Sequence, residues 1–339
     1  MLNFEGFKSH LSRRGYASVS LLPEPTPIHY LSRLSRKLGV DIYMKRDDAA
    51  SIGLGGNKLR KLEYLMAEAK ANRATRIITI GALQSNHARL TACVATMLGF
   101  EVDLVLKESV PDSSAAYREN GNLVLDRLIG AKIHRRSVQE DVLSYAKQLA
   151  KTYSDAGEQV YLIPVGGSNL VGSLGYIHAA YEMQQQLAKL DIQIRQIALA
   201  SGSGGTHAGL LAGVALLNWP AQVRAYNVQP EKEPLLTHTV KLLSQISEIF
   251  DPLIAIDPSS IRLIQGHHGD AYGIPSKNGL DAIALLAQTE GIFLDPVYTG
   301  KAFAGLIADI ESGKLKANEP ILFMHTGGVP GLFAYPGHF

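Results

Sequence analysis

The chain has 339 residues, 46% of them hydrophobic and 19% charged, which suits two globular domains and excludes a disordered chain. Its formal net charge is +2, and the basic runs Ser12-Arg13-Arg14 and His134-Arg135-Arg136 are short and isolated, so no nucleic-acid partner is expected. The single cysteine, Cys93, excludes an internal disulfide, and within the apolar stretch Leu90-Thr-Ala-Cys-Val-Ala-Thr-Met-Leu98 it reads as a buried structural thiol.

From the N-terminus, Met1-Leu-Asn-Phe-Glu-Gly-Phe7 lacks the basic flank and apolar run of a secretory leader. No later apolar stretch approaches the roughly 20 residues that span a bilayer, so no membrane partner is expected and a cytoplasmic address follows. Asn57 reads as the N-cap of a helix with apolar residues at Leu59, Leu62, Leu65, Met66 and Ala69. Then come a strand over Arg76–Ile80, a helix over Asn86–Leu98 and a strand over Val102–Leu106. A helix over Tyr117–Leu128, a short strand over Lys132–His134 and a helix over Val138–Tyr153 follow. Val160–Ile163, Ile197–Ala200, Val223–Val228 and Pro320–Met324 complete the strands. Nearly continuous apolar strands separated by helices predict an α/β fold with a parallel sheet covered on both faces. Glycine-rich turns at Gly53-Leu-Gly-Gly56 and Gly166-Gly167 would bracket a smaller inserted unit, residues 61–171, within a larger one made of 1–60 and 172–339.

Four segments carry chemistry. In Gly55-Gly-Asn-Lys-Leu-Arg-Lys-Leu-Glu63, three cations, Lys58, Arg60 and Lys61, crowd a helix start where the dipole disfavours them by roughly 0.3–1 kcal/mol each. A bound anion would explain them, as would three solvated surface charges tolerated at small cost. In Gly81-Ala-Leu-Gln-Ser-Asn-His-Ala-Arg89, the side chains of Gln84, Ser85, Asn86 and His87 meet helix-start N–H groups at a strand end, either a carboxylate cradle or an ordinary N-cap. Ala200-Ser-Gly-Ser-Gly-Gly-Thr-His-Ala-Gly209 is built as a phosphate-binding turn, with Ser203 and Thr206 as added donors. It is neither the dinucleotide fingerprint, whose third glycine would fall at His207, nor a Walker A loop. The fourth set is Tyr272-Gly273, Asp295-Pro-Val-Tyr-Thr-Gly-Lys301 and His325-Thr-Gly-Gly328, where Tyr272, Tyr298 and Thr326 face a strand-end cleft or serve as packing. His267 and His268 have no cluster to complete a metal site, and no metal is expected.

Together these segments resemble the tryptophan-synthase-β-like (fold type II) pyridoxal 5′-phosphate enzymes, and within them the 1-aminocyclopropane-1-carboxylate deaminase/D-cysteine desulfhydrase family. The resemblance runs from Pro25-Thr-Pro27 and Lys45-Arg-Asp-Asp48 to His325-Thr-Gly-Gly328, and Gly-Gly-Asn-Lys-x-Arg-Lys-Leu-Glu followed by Gln-Ser-Asn is its most specific part. It implies a two-domain enzyme with twisted, largely parallel sheets, a homodimer, and Lys58 as the lysine bonded to the cofactor. Lys61 and Gly202, Ser203, Gly204, Gly205 and Thr206 would hold the cofactor phosphate. Asn86 would bond the ring hydroxyl, and Thr326 would face the pyridine nitrogen. Ser85, Asn86 and His87 would take the substrate, and Tyr272 and Tyr298 would flank the reacting face.

Within the family, the deaminase branch typically has Glu after the second tyrosine and Gln after Ser-Asn; this chain has Thr299 and His87. Both departures, with Gly-Thr-His-Ala-Gly at 205–209, point to α,β-elimination of D-cysteine to pyruvate, ammonia and hydrogen sulfide rather than to cyclopropane ring opening. L-cysteate sulfo-lyase activity is the nearest alternative. A non-catalytic pyridoxal-phosphate-binding protein is the alternative of another class, and the missing third glycine weighs against a nicotinamide dehydrogenase.

Overall fold

The computed structural model describes residues 3–110, 113–254, 256 and 258–339; Met1 and Leu2 of the N-terminal segment read above lie outside them. Two sheets organise the chain. The first takes β1 (Ile28–Tyr30), β2 (Ile42–Arg46), β7 (Gln196–Ser201), β8 (Gln222–Asn227), β9 (Arg262–Ile264) and β10 (Ile321–His325), in the order β1-β2-β10-β7-β8-β9. The second takes β3 (Arg76–Ala82), β4 (Glu101–Lys107), β5 (Lys132–Arg136) and β6 (Val160–Ile163), in the order β5-β4-β3-β6. Every pairing is parallel except β1 with β2. This is the α/β architecture the apolar runs predict, with an antiparallel edge strand too short and polar to be read from them.

The helices are α1 (Phe4–Arg13), α2 (Ser32–Leu38), α3 (Lys58–Ala71), α4 (Asn86–Met97), α5 (Ala115–Glu119), α6 (Asn122–Ile129), α7 (Val142–Asp155), α8 (Leu170–Lys189), α9 (Gly205–Leu216), α10 (Glu233–Phe250), α11 (Lys277–Glu290) and α12 (Thr299–Glu311). Both faces of the second sheet are covered: Ile77 and Leu104 join the core with α3 and α4, while Ile78, Ile80 and Val105 pack against Ala146 of α7. That two-sided burial is why β3 reads as a continuous apolar run. All five apolar positions foreseen on α3 are fully buried. The α3–α8 crossing is close because position 175 has no side chain; a Cβ there would lie 2.0 Å from the Arg60 carbonyl oxygen.

Three expectations are corrected. The helix over Tyr117–Leu128 is two helices, broken where Gly121 takes φ +63°, a conformation that ends one helix and starts the next. The helix over Val138–Tyr153 begins at Val142, because Asp141 caps it by accepting the N–H groups of Leu143 and Ser144. Cys93 is half-buried rather than fully buried, its thiol covered in part by Gly53. Among the described residues no helix is long and apolar enough to cross a membrane.

Candidate active site

The C-terminal ends of β3 and β4 in one sheet and of β7 and β10 in the other open onto one cavity of about 300 Å³. Strand ends are where parallel sheets collect ligands, since the helix starts that follow aim their free N–H groups there. The cavity brings together Lys58, Ser85, Asn86, His87, Gly202, Ser203, Gly204, Thr206, Tyr272, Tyr298 and Thr326. Of the expected residues, Lys61 and Gly205 stand behind this wall.

The three cations of α3 have three different fates, and none is a solvated surface charge. Lys58 opens onto the cavity and, among the described residues, has no hydrogen-bond partner; burial pushes its amine down to about 8. Arg60 is locked between Asp47 (2.8 Å) and Glu182 (2.8 Å) beneath the helix start. Lys61 is buried, donating to the Gly166 carbonyl (3.0 Å) and the Ser168 hydroxyl (2.9 Å); burial, then the charge of Lys58, pushes it well below the ordinary lysine value. Asn57, expected to cap α3, makes no side-chain cap. Instead its N–H donates to the Thr326 carbonyl (3.0 Å) and its amide to the Thr206 hydroxyl (3.1 Å), pinning three strand-end segments together.

The turn from β7 into α9 has the form of an anion cradle. Gly204 is left-handed at φ +80°, α9 starts at Gly205, and the Ser203 hydroxyl meets that of Ser168 at 2.7 Å. A Cβ at position 205 would lie 2.8 Å from both Lys61 Nζ and Ser168 Oγ, so only glycine lets the buried amine sit under the helix start. The amine of Lys61 and the positive end of α9 thus converge on one spot, an arrangement that a bound anion would stabilise. His207 points away into the core with both ring nitrogens unpartnered.

At the α4 start, Ser85 Oγ accepts the Ala88 N–H (3.1 Å) and the Ser85 carbonyl accepts that of Arg89 (3.2 Å), which leaves the N–H groups of Asn86 and His87 over. Asn122 donates to Asn86 Oδ1 (3.0 Å), turning the Asn86 amide so that its NH2 is the unspent group. Gln84 offers the cavity nothing: it donates to the Tyr117 and Asn120 carbonyls and accepts the Asn122 N–H. Thr79 Oγ1 donates to the Ile163 carbonyl and therefore accepts from His87 Nε2 (2.8 Å). Burial, with Lys58 and Lys61 nearby, holds the His87 ring well below its ordinary value, so it is neutral and presents an Nδ1 acceptor rather than a donor.

On the opposite wall the hydroxyls of Tyr272 and Tyr298 meet at 2.5 Å, and burial raises both phenols, keeping them protonated at neutral pH. Thr299 turns from the cavity to donate to Asp295 Oδ1 (2.6 Å), and Asp295 also accepts the N–H groups of Val297, Tyr298 and Thr299. Buried Lys301 donates to the Ala271 carbonyl (3.0 Å), tying the Tyr272 loop to α12. Sequence reasoning gave no role to Lys301, although it ends the Asp295–Lys301 segment, and missed Asn122 and Lys107, which joins the wall from β4; these two lie in no motif of their own. Among the described residues, no group of three or more His, Cys, Asp or Glu side chains is placed to hold a metal.

The donor set fits pyridoxal phosphate: a lysine with a depressed value, a cradle for a dianion, a free amide NH2 and a hydroxyl at Thr326. Comparison with known proteins agrees. The model of the pyridoxal-phosphate-dependent enzyme family matches residues 19–327. D-cysteine desulfhydrase of Klebsiella pneumoniae is 41% identical over 323 residues, 95% of this chain and 97% of its own. D-cysteine desulfhydrase of Salmonella choleraesuis is 40% identical over 332 residues, covering 97% and 98%. The solved structure of a 1-aminocyclopropane-1-carboxylate deaminase homologue superposes with a TM-score of 0.88 at 35% identity, over 98% of this chain and 97% of that one. Processed threonine deaminase isoform 2 of Solanum lycopersicum, at 16% identity and a TM-score of 0.64 over 96% and 84% of the two chains, shares the fold.

Proposed function

Because the chain belongs to the pyridoxal-phosphate-dependent enzyme family, we propose that it is a lyase that eliminates hydrogen sulfide from D-cysteine, yielding pyruvate and ammonia after addition of water. The observation that carries the reading is Lys58, an unpartnered amine held down to about 8 and opening onto the cavity beside an anion cradle. When bound there, the cofactor draws electrons from the substrate Cα, so that the Cα–H bond and then the Cβ–S bond can break.

Lys58 supplies the free amine that holds the cofactor and, once released, a base for the Cα proton. Lys61 and the Gly202–Thr206 turn would hold the phosphate. Asn86, turned by Asn122, would donate to the ring hydroxyl, and the neutral Thr326 hydroxyl would serve the pyridine nitrogen. Ser85 and the N–H groups of Asn86 and His87 grip the substrate carboxylate; His87, a neutral acceptor, shapes the wall beside them. Tyr272 and Tyr298, both protonated, close the other face and can pass a proton to the leaving sulfur. No carboxylate lines the cavity among the described residues, which favours elimination over ring opening of 1-aminocyclopropane-1-carboxylate.

Sulfide and pyruvate should appear in equal amounts from D-cysteine when the purified protein is saturated with cofactor; absence of sulfide refutes the reading. The amine value sets a pH dependence. A lysine lowered to about 8 has on the order of 300-fold more free amine at pH 7 than an ordinary one. Covalent cofactor uptake by the stripped protein should therefore rise about tenfold per unit from pH 6 and level off above about 8, as followed by absorbance. A flat profile from pH 6 to 9 would contradict this value.

The reading includes a division into 1–60 with 172–339 and an inserted 61–171, a cytoplasmic address, and pairing with a second copy. An apolar groove lined by Leu54, Val124, Val329, Pro330 and Phe333 supports the pairing, since Leu54 and Phe333 are each 61% exposed. Sedimentation and cell fractionation test these parts.

A further inference from the structure

Among the described residues, the cavity wall carries two lysines and no carboxylate. Lys58 is committed to the cofactor; Lys107 has no assigned task. It ends β4 at the register position facing Ala82 of β3, and its carbonyl accepts the Leu83 N–H at 3.0 Å. Its backbone thus stands one strand away from the Ala82–Asn86 turn, and Lys107 is one of the residues that line the same cavity.

The cations around it show what is unusual. Arg136, the register partner of Lys107 on the adjacent strand β5, is paired with Glu140 at 3.0 Å and lies 4.3 Å over the Tyr145 ring. Asp141, close enough to sense Lys107, accepts from the Leu143 and Ser144 N–H groups and the Ser144 hydroxyl. Among the described residues Lys107 makes no ion pair and its ammonium no hydrogen bond. The substrate α-carboxylate is already provided for by Ser85, two leftover N–H groups and the positive end of α4, so this cation is surplus to an ordinary amino acid. A free ammonium in a wall without acids makes the local potential positive, and narrow, partly dry clefts strengthen it.

Resting on the reading that the cavity takes small amino acids, we infer that Lys107 is a specificity determinant that favours substrates and ligands whose side chain carries its own negative charge, a β-carboxylate or another small oxyanion. The attraction would act on a charge carried at Cβ, the carbon from which a leaving group also departs as an anion.

The test uses the holoenzyme and two ligands of one head group, D-alanine and D-aspartate, as competitors of D-cysteine turnover and, in parallel, in titrations followed by cofactor absorbance. D-aspartate should bind about tenfold more tightly than D-alanine, and added potassium chloride should erode that preference. Lys107→Met should bring the two to parity, and Lys107→Arg should keep the preference. Equal weakening of both ligands in Lys107→Met would overturn the inference, because a lysine serving only the α-carboxylate or the fold behaves that way. A wild-type protein without the preference would overturn it as well. The absorbance titration keeps the two proposals apart: silence towards D-cysteine sinks the proposed reaction, whereas the ratio of the two dissociation constants still decides Lys107.

Discussion

Lys58→Ala is expected to give a folded protein that has lost the absorbance of lysine-bound cofactor and releases sulfide from D-cysteine on the order of 10⁴-fold more slowly. The size of the effect follows from the absence of a substitute. Lys61, the other amine on this helix turn, is held by Gly166 and Ser168 behind Gly205 and cannot swing into the cavity without abandoning both acceptors. Folding should survive, because Lys58 makes no hydrogen bond among the described residues and alanine is the best helix former for the start of α3. Removing the lysine also removes a positive charge beside Lys61 and His87, so both should regain protons more readily. Circular dichroism, the visible spectrum and single-turnover sulfide release check the three parts. A variant that keeps the absorbance and the rate would sink the assignment of Lys58, and one that unfolds would show that the amine is structural.

What could be read from the sequence was what is written locally. The inner strands were legible because they are buried on two sides and leave continuous apolar runs, whereas the short β1 and β9 and the mixed β2 (Ile42–Arg46) were not; the Gly202–Thr206 turn stood out because its glycines lie close together in sequence. The α3 cations were visible as an anomaly, but a local argument offers them only two fates: an anion or solvent. Arg60 took a third, since its partners Asp47, just after β2, and Glu182, on α8, lie 13 and 122 residues away and meet it only in the folded chain. Asn122 escaped notice for the same reason: its partner Asn86 is 36 residues distant, and the glycine that starts its helix reads as an interruption of a longer one. Thr299 reads as a departure from the deaminase pattern, and its side chain serves Asp295 rather than the cavity. Its place beside that carboxylate gives a physical reason against Glu there, since two buried carboxylates would repel unless one were protonated.

Arg60→Met should be the most damaging substitution outside the cavity, lowering stability by about 3–5 kcal/mol. The guanidinium donates to both Asp47 oxygens, both Glu182 oxygens and the Thr26 hydroxyl, at 2.8–3.1 Å, with almost no solvent contact. Methionine fills much of the volume but, among the described residues, leaves the Asp47 carboxylate with only Thr26 and Tyr176 as donors. Burial alone would raise the Asp47 carboxyl; Arg60, then Lys45 and the Tyr176 hydroxyl, hold it below the ordinary value. In the wild type this carboxylate therefore adds stability above the unfolded value, lost as the pH falls through the lower folded one. In the variant burial prevails and the folded value lies above the unfolded one, so stability declines as the pH rises between them. The deficit of Arg60→Met should accordingly be largest near neutral pH and shrink towards pH 4, and Asp47→Asn in the same chain should restore part of it at pH 7. Denaturant unfolding across that range checks the sign. A deficit that grows on acidification would mean that the ion pair is worth less than the burial of its partners. Because Arg60 lies two residues beyond Lys58 on the same helix turn, the cofactor's dissociation constant should rise in parallel with the lost stability.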